Sequence, residues 1–366
     1  MSAHNLTHDT SQRTRAIIWA CLFCFLLIGM PALNLAGIVS DSMLSQWGRY
    51  CCFAIAALGV DLVWGYTGML SLCQAFFFCL GGYAMGMHLI LMTGSEGAYG
   101  SALPDFMVWN QVTELPFFWK PFYHPALAII LGLTVPAVFA GIFGYLVFRS
   151  RVRGVYFAII TQALALAMWL TFNRNEMMLG GTNGLTDFKE IFGFRLSGDP
   201  EVVAATGRWL YLATVVILGG AYMLCRKLVN GKMGKVMIAI RDSEHRLRFT
   251  GYPIVNYKVF AFVVAATLAG LGGMLYVPQM GIITPSKMSV SASIELIVLV
   301  AVGGRSSLLG AVIGALLVKA CYSEMTSRIP EAWPFFLGGA FIVIVLFLPN
   351  GLVGLLSRQK KGESPA

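Results

Sequence analysis

Apolar runs of roughly twenty residues follow one another along this chain. A run of that length has one economical solution, a helix that crosses a membrane and closes its backbone hydrogen bonds within itself. The windows fall near 16–34, 48–65, 69–92, 125–148, 155–172, 208–225, 259–277, 291–304, 306–320 and 335–355. They predict an all-α, polytopic membrane helix bundle of about ten spans, and eight to eleven are compatible with the same windows. Composition agrees. Of 366 residues 12% are charged and 57% hydrophobic, where a soluble domain carries about twice that charged fraction.

The net charge of +9 sits in particular loops, so it reads as topology control and not as a nucleic-acid footprint. The 33-residue stretch from Arg226 to Lys258 holds eight Lys or Arg against only Asp242 and Glu244. With Arg13 and Arg15, the Arg149, Arg151 and Arg153 cluster, Arg305, and Arg358, Lys360 and Lys361, it defines one basic face. The positive-inside rule makes that face cytoplasmic and puts both termini there, with tails over 1–15 and 356–366. The remaining cations, Lys319 and Arg328 among them, fall outside or near outer span ends. The first apolar run follows two arginines but has no A-x-A site after it, so it reads as a retained helix. The eight cysteines lie mostly in spans, and Cys21 and Cys24 fit packing better than zinc or redox chemistry.

No Pro/Ser/Gly-rich linker divides the chain, which predicts one bundle with two outer insertions and one cytoplasmic insertion. The outer insertion 93–124 carries Trp109, Phe117, Phe118, Trp119, Phe122 and Tyr123 beside Glu96, Asp105 and Glu114. It reads as an interfacial aromatic belt or as a docking surface for an extracytoplasmic partner. Gly180 to Asp187 reads as a Gly/Asn turn closing an outer loop, or as a gate.

Several spans are interrupted. From Asp61 to Gln74 a carboxylate, two glycines and the polar Thr67, Ser71 and Gln74 stand where two spans meet. Non-helical backbone at membrane depth is tolerated only against protein or a wet cavity, so this run reads as a break lining a pathway, or as a short cytoplasmic turn. Glu295 and the run Gly303-Gly304-Arg305-Ser306-Ser307 offer a second break, after which Gly310 and Gly314 form a packing face. A carboxylate at mid-membrane costs about 2.5–3.5 kcal/mol on an insertion scale, which makes Asp61 and Glu295 functional candidates. His88 and Lys319 lie closer to span ends and, with His4, His8, His124 and His245, read as interfacial or solvated. They form no metal-ligand spacing.

In the basic insertion, Arg241 to Pro253 predicts a helix of about two turns. Asp242 or Ser243 caps it, Glu244 complements its dipole, Gly251 suits its end and Pro253 enforces the stop. So short a helix needs a partner surface to be ordered. Arg246, Leu247, Arg248 and Phe249 would suit a groove with acidic edges on a soluble protein, the rival being anionic lipid. No G-x-x-x-x-G-K-[ST], G-x-S-x-G or H-E-x-x-H occurs, so the chain predicts a conduit and not an enzyme.

Three motifs then recur in order: Gly65-Tyr66-Thr67-Gly68-Met69-Leu70-Ser71-Leu72, Gly180-Gly181-Thr182-Asn183-Gly184-Leu185-Thr186-Asp187, and Ser293-Ile294-Glu295 through Gly303-Gly304. On them the chain resembles the branched-chain amino acid and urea permease family, integral subunits of bacterial ABC importers, over roughly residues 48–355. The resemblance implies a permease domain over 16–355 in the bacterial cytoplasmic (inner) membrane, with its ATPase-coupling helix at Arg241, Asp242, Glu244, Arg246, Leu247, Arg248, Phe249 and Gly251. It further implies a second related permease subunit, two ATP-binding ATPase subunits, an extracytoplasmic solute-binding protein, and no cofactor on this chain, ATP being used by the partners. Phe148 to Phe157, Thr161 to Leu164, Asn175-Glu176 and Asp61 look like the urea branch. Urea is therefore the expected solute and branched-chain amino acids the alternative. Family members usually show Gly-His where this chain has Cys73-Gln74, so no histidine role carries over, although Gln74 can still donate and accept. Asp61, Thr67, Ser71, Gln74, Thr182, Asn183 and Glu295 form the expected solute path. Two other classes stay open, a secondary transporter using Asp61 and Glu295 as ion or proton sites, and a membrane enzyme.

Overall fold

A computed structural model describes residues 16–94, 97, 100, 101, 103–152, 154–329, 331, 335, 336, 338, 339, 342 and 351–358. Among the described residues, eight helices are long and apolar enough to cross a membrane. They are α1 (Ala16–Leu35), α2 (Asp41–Tyr66), α3 (Gln74–Thr93), α4 (Pro125–Arg149), α5 (Val155–Phe172), α6 (Pro200–Asn230), α8 (Ile254–Met280) and α10 (Leu308–Arg328). Between them, α7 (Lys232–Phe249) joins α6 to α8, and the shorter apolar α9 (Val290–Gly303) precedes α10. The chain is a polytopic helical membrane protein. Its eight long helices sit at the lower end of the range read from the windows. The difference arises where the 291–304 window folds as a 14-residue helix and where most of 335–355 lies outside the described residues. Arg13, Arg15, Arg153, Lys360, Lys361, Glu96, His4 and His8 also lie outside them.

Helix α8 is the hub and packs against α3, α2 and α4, while α2 also packs on α6 and α10. Small residues make this possible: a Cβ at Gly81 would run into the Gly270 carbonyl oxygen, and one at Gly59 would stand 2.8 Å from the Ala265 oxygen. Helices α4, α5 and α6 surround the hub and leave Ile130, Val138, Ile142, Ile159, Leu170 and Val216 exposed, as expected of lipid-facing surface. Gly273 sits where its Cβ would meet the Phe78 oxygen and stand 2.9 Å from the Gly82 nitrogen. Gly273→Val should therefore wedge α8 off α3 and cost about 1–3 kcal/mol. A thermal melt of the detergent-solubilised chain checks this, and an unchanged melting temperature would contradict the packing.

Contacts sort the connections onto two faces. On one lie 67–73, the end of α4, α7 and 304–307, joined by the bonds of Arg241 to Gly65 and Ser306 and by a shared cavity lined by Thr67, Phe148 and Ile240. On the other, β1 (Leu185–Thr186) pairs antiparallel with β4 (Ile282–Ile283), and β2 (Glu190–Ile191) pairs with β3 (Phe194–Arg195). His88 Nδ1 lies 2.7 Å from the Phe122 oxygen of the 93–124 insertion, and Trp119 donates to the Met178 oxygen across 3.3 Å. These contacts fold part of the aromatic insertion into the bundle's end, burying Trp119 and Phe122 and leaving Trp109 and Phe117 exposed.

Two expectations are overturned here. His88 and Lys319 are buried, not interfacial or solvated. Each has a partner that cancels the cost of burial, a backbone oxygen for His88 and Glu295 for Lys319. The helix expected over Arg241 to Pro253 is present as the second half of α7, and α7 itself begins earlier, at Lys232, because Met237 and Ile240 supply a buried stripe one turn before it. It does not run straight: Ser243 is extended (φ −163°, ψ 91°) and divides α7 in two, in the conformation that an N-cap residue adopts. Gly251 takes φ +80° and Pro253 precedes α8, as the stop signals required.

Candidate functional site

The two breaks read from the sequence meet at one point. Helix α2 widens into a π turn over Leu62–Tyr66, and the chain then runs without helix to Gln74. Helix α9 ends at Gly303, Gly304 takes φ +121°, and Ser306 takes φ +60° before α10 starts at Leu308. Fully buried Asp61 accepts the Ser306 amide on Oδ1 at 2.8 Å. The Ser306 hydroxyl donates to the Gly65 oxygen at 2.8 Å, and the Tyr66 hydroxyl donates to the Ser306 oxygen at 3.0 Å. Gly65 is required because a Cβ there would stand 2.6 Å from the Ser306 nitrogen and collide with Asp61.

Arg241, at the end of the first half of α7, clamps this junction. Its Nη1 donates to the Gly65 oxygen at 3.0 Å and to Ser306 Oγ at 2.7 Å, while Nε lies 3.1 Å from Asp242. Arg305 stacks its guanidinium 4.4 Å from the Trp64 ring centroid. Three segments far apart in sequence are thus tied together by one arginine, through the Gly65 carbonyl oxygen and the Ser306 hydroxyl. Beyond the kink, Glu244 bonds buried Lys258 at 2.8 Å and Arg248 at 3.4 Å, so the second half of α7 is tied to α8. Phe249 is 91% exposed and Arg246 is also exposed, which leaves an outward face.

The polar break is held by α5. Thr161 Oγ1 accepts the Leu72 amide at 3.0 Å, and the Thr67 hydroxyl donates back to the Val63 oxygen. Ser71 and Gln74 are buried, with Gln74 Nε2 3.5 Å from Ser71 Oγ and Gln74 Oε1 unpartnered among the described residues. Cys73 beside them is buried as well.

The remaining sequence candidates lie elsewhere. Glu295 is paired with Lys319 at 2.7 Å, and the ammonium lies 3.5 Å from the Phe53 ring centroid. Thr182 and Asn183 are exposed on the opposite face, where Asn183 borders a cavity of about 160 Å³ with Asp105, Trp109 and Asp187. Ser71 and Gln74 are therefore brought together, Thr67 turns back onto Val63, Asp61 joins the junction with Gly65 and Ser306, and Thr182, Asn183 and Glu295 stand apart. Sequence reasoning missed Tyr66, Ser306 and Thr161 as the groups that fix the breaks, and Lys319 as the partner of Glu295. The Gly-Gly-Arg-Ser-Ser run signalled a break but not what it docks against.

The chain belongs to the family described as branched-chain amino acid transport system / permease component, whose pattern matches residues 43–346. It is similar to the high-affinity branched-chain amino acid transport system permease protein LivM of Escherichia coli strain K12, at 24% identity over 86% of this chain and 70% of that protein. LivM of Salmonella typhimurium is 22% identical over 85% of this chain and 70% of its own length. The fructose import permease protein FrcC of Rhizobium meliloti is 24% identical over 70% of this chain and 71% of its own. No solved structure matches.

Proposed function

We propose that this member of the permease-component family is one membrane subunit of an ATP-driven, binding-protein-dependent importer, and that α7 is its handle for a peripheral ATPase. The single observation that carries the reading is Arg241, bonded to Gly65 and Ser306, because it links an exposed helix to both interrupted spans. A movement imposed on α7 would reach the backbone at both breaks without passing through lipid-facing helices. Arg246 and Phe249 then face the ATPase, and the basic face lies in the cytoplasm of a bacterial cell with both termini. The assembly would hold a second related permease, two ATPases and an extracytoplasmic binding protein docked near Trp109 and Phe117. In alternating access, ATP binding closes the ATPases, α7 moves and the break at 67–74 opens.

Two observations bear on the solute. The family description and the two LivM relatives support a branched-chain amino acid, the FrcC relative is named for fructose, and none of the three is named for urea. Urea rests on this chain's own residues. The break offers Thr67, Ser71, Gln74 and Thr161, all neutral, and the buried Gln74 oxygen is an acceptor with no donor among the described residues. That lining suits a neutral amide, whereas a desolvated zwitterion needs opposite charges beside it. Uptake of labelled leucine and labelled urea, run in parallel with Gln74→Leu, separates them. Urea uptake abolished by Gln74→Leu would establish the second reading, and leucine uptake indifferent to it would establish the first.

A further inference from the structure

We infer that the cleft between the end of α4, the second half of α7 and the start of α8 is a binding site for the phosphodiester headgroup of an anionic phospholipid. A cavity of about 290 Å³ there is lined by Phe148, Arg149, Arg151, Glu244, Arg248, Ile254, Val255 and Lys258. Four of these side chains are cationic and one is anionic. Glu244 is already shared between Lys258 and Arg248. Arg149 donates only to the neutral Tyr145 hydroxyl at 3.2 Å and stacks on its ring, and neither Arg149 nor Arg151 has an ion pair among the described residues. The cleft thus keeps a surplus of positive charge, with two guanidiniums free to grip phosphate oxygens in pairs.

Its position selects lipid over a free anion. Arg149 ends one span and Ile254 begins another, which puts the cleft at the depth where headgroups lie. Beside it Leu146, Val155 and Tyr156 are exposed apolar surface at which a glycerol backbone and acyl chains can lie. Basic pockets between spans on the cytoplasmic side take anionic headgroups, with each cation contributing substantially. The bound lipid would touch Arg248 and would brace the inward side of α7, while His245, Arg246 and Phe249 stay outward and exposed. This inference does not depend on the importer reading, since it concerns binding alone.

The test uses the full chain in mixed micelles, with retained lipid counted by native mass spectrometry and phosphatidylglycerol supplied against phosphatidylcholine. Wild type is expected to retain phosphatidylglycerol selectively. The double variant R149Q/R151Q should weaken retention by about fivefold per arginine removed, and R149K/R151K should restore much of it. Circular dichroism melts confirm that the variants remain folded. Equal retention of both lipids, or retention unchanged in R149Q/R151Q, overturns the site. Displacement of the lipid by millimolar inorganic phosphate overturns the lipid as its occupant and assigns the cleft to a free anion.

Discussion

Lys319→Ala is expected to destabilise the bundle by about 3 kcal/mol, the lower end of the range for breaking a buried ion pair. Lys319 lies eleven residues into α10, about 16 Å from that helix's start, so the ammonium is deep in the structure and its side chain is only 6% exposed. It is held by Glu295 on α9 and by the face of Phe53 on α2, and the alanine would strand the carboxylate and leave a gap between three helices. Because Glu295 is 20% exposed, water recovers part of its solvation, which is why the lower end applies. A melt in detergent measures the loss. Replacing both partners with apolar residues, Lys319→Met with Glu295→Leu, should recover most of it, since an apolar pair carries no desolvation cost. Glu295→Gln keeps the shape and an acceptor for the ammonium but removes its counter-charge, so it should lower the melting temperature as well as uptake, and uptake is compared per folded chain. Unchanged uptake would make the pair purely structural.

Arg241→Ala should separate ATP hydrolysis from transport. The substitution removes two charge-assisted hydrogen bonds, each worth about 1.5–3 kcal/mol, from the one side chain that joins α7 to both breaks. The chain should still fold, because α7 retains Met237 and Ile240 in the core and the Glu244–Lys258 pair. Uptake should fall by at least about tenfold, a loss that a single such bond could account for, while the assembled ATPases keep hydrolysing. Arg241→Lys should rescue it in part, since both bonds leave a single nitrogen, Nη1, and an ammonium also carries donors enough for the Gly65 oxygen and Ser306 Oγ. Solute moved per ATP hydrolysed is the quantity to measure, and a ratio equal to that of the wild type would refute the clamp.

Much of this architecture was legible in the residues, and the parts that were not share a cause. The break after Asp61 was readable because Thr67, Gly68, Ser71 and Gln74 interrupt an apolar pattern locally. The stop of α7 was readable because Gly251 and Pro253 act on their own neighbours. Asp61 as acceptor for Ser306, Glu295 as partner of Lys319, and Thr161 as the anchor of Leu72 were not, because each depends on which helices become neighbours. Periodicity within a span is silent on that choice. His88 was misread for the same reason: its acceptor belongs to the 93–124 insertion, whose course over the bundle no local pattern specifies. The start of α7 was misplaced because Lys232 to Lys235 look like a solvated loop until Met237 and Ile240 are seen to pack. The solute is harder still, since it is set by which polar atoms line a path and by a binding protein outside this chain.

The central claim is that this chain moves solute by harnessing ATP through α7, and proteoliposomes test it most directly. They would hold this chain, its related permease and the ATPases, with binding protein outside and ATP inside. Uptake of labelled leucine or urea should need both ATP and the binding protein, and should fall by at least about tenfold with Arg241→Ala. Uptake without ATPases that collapses with a protonophore would contradict it, and would make Asp61 and Glu295 the proton or ion sites of a secondary transporter.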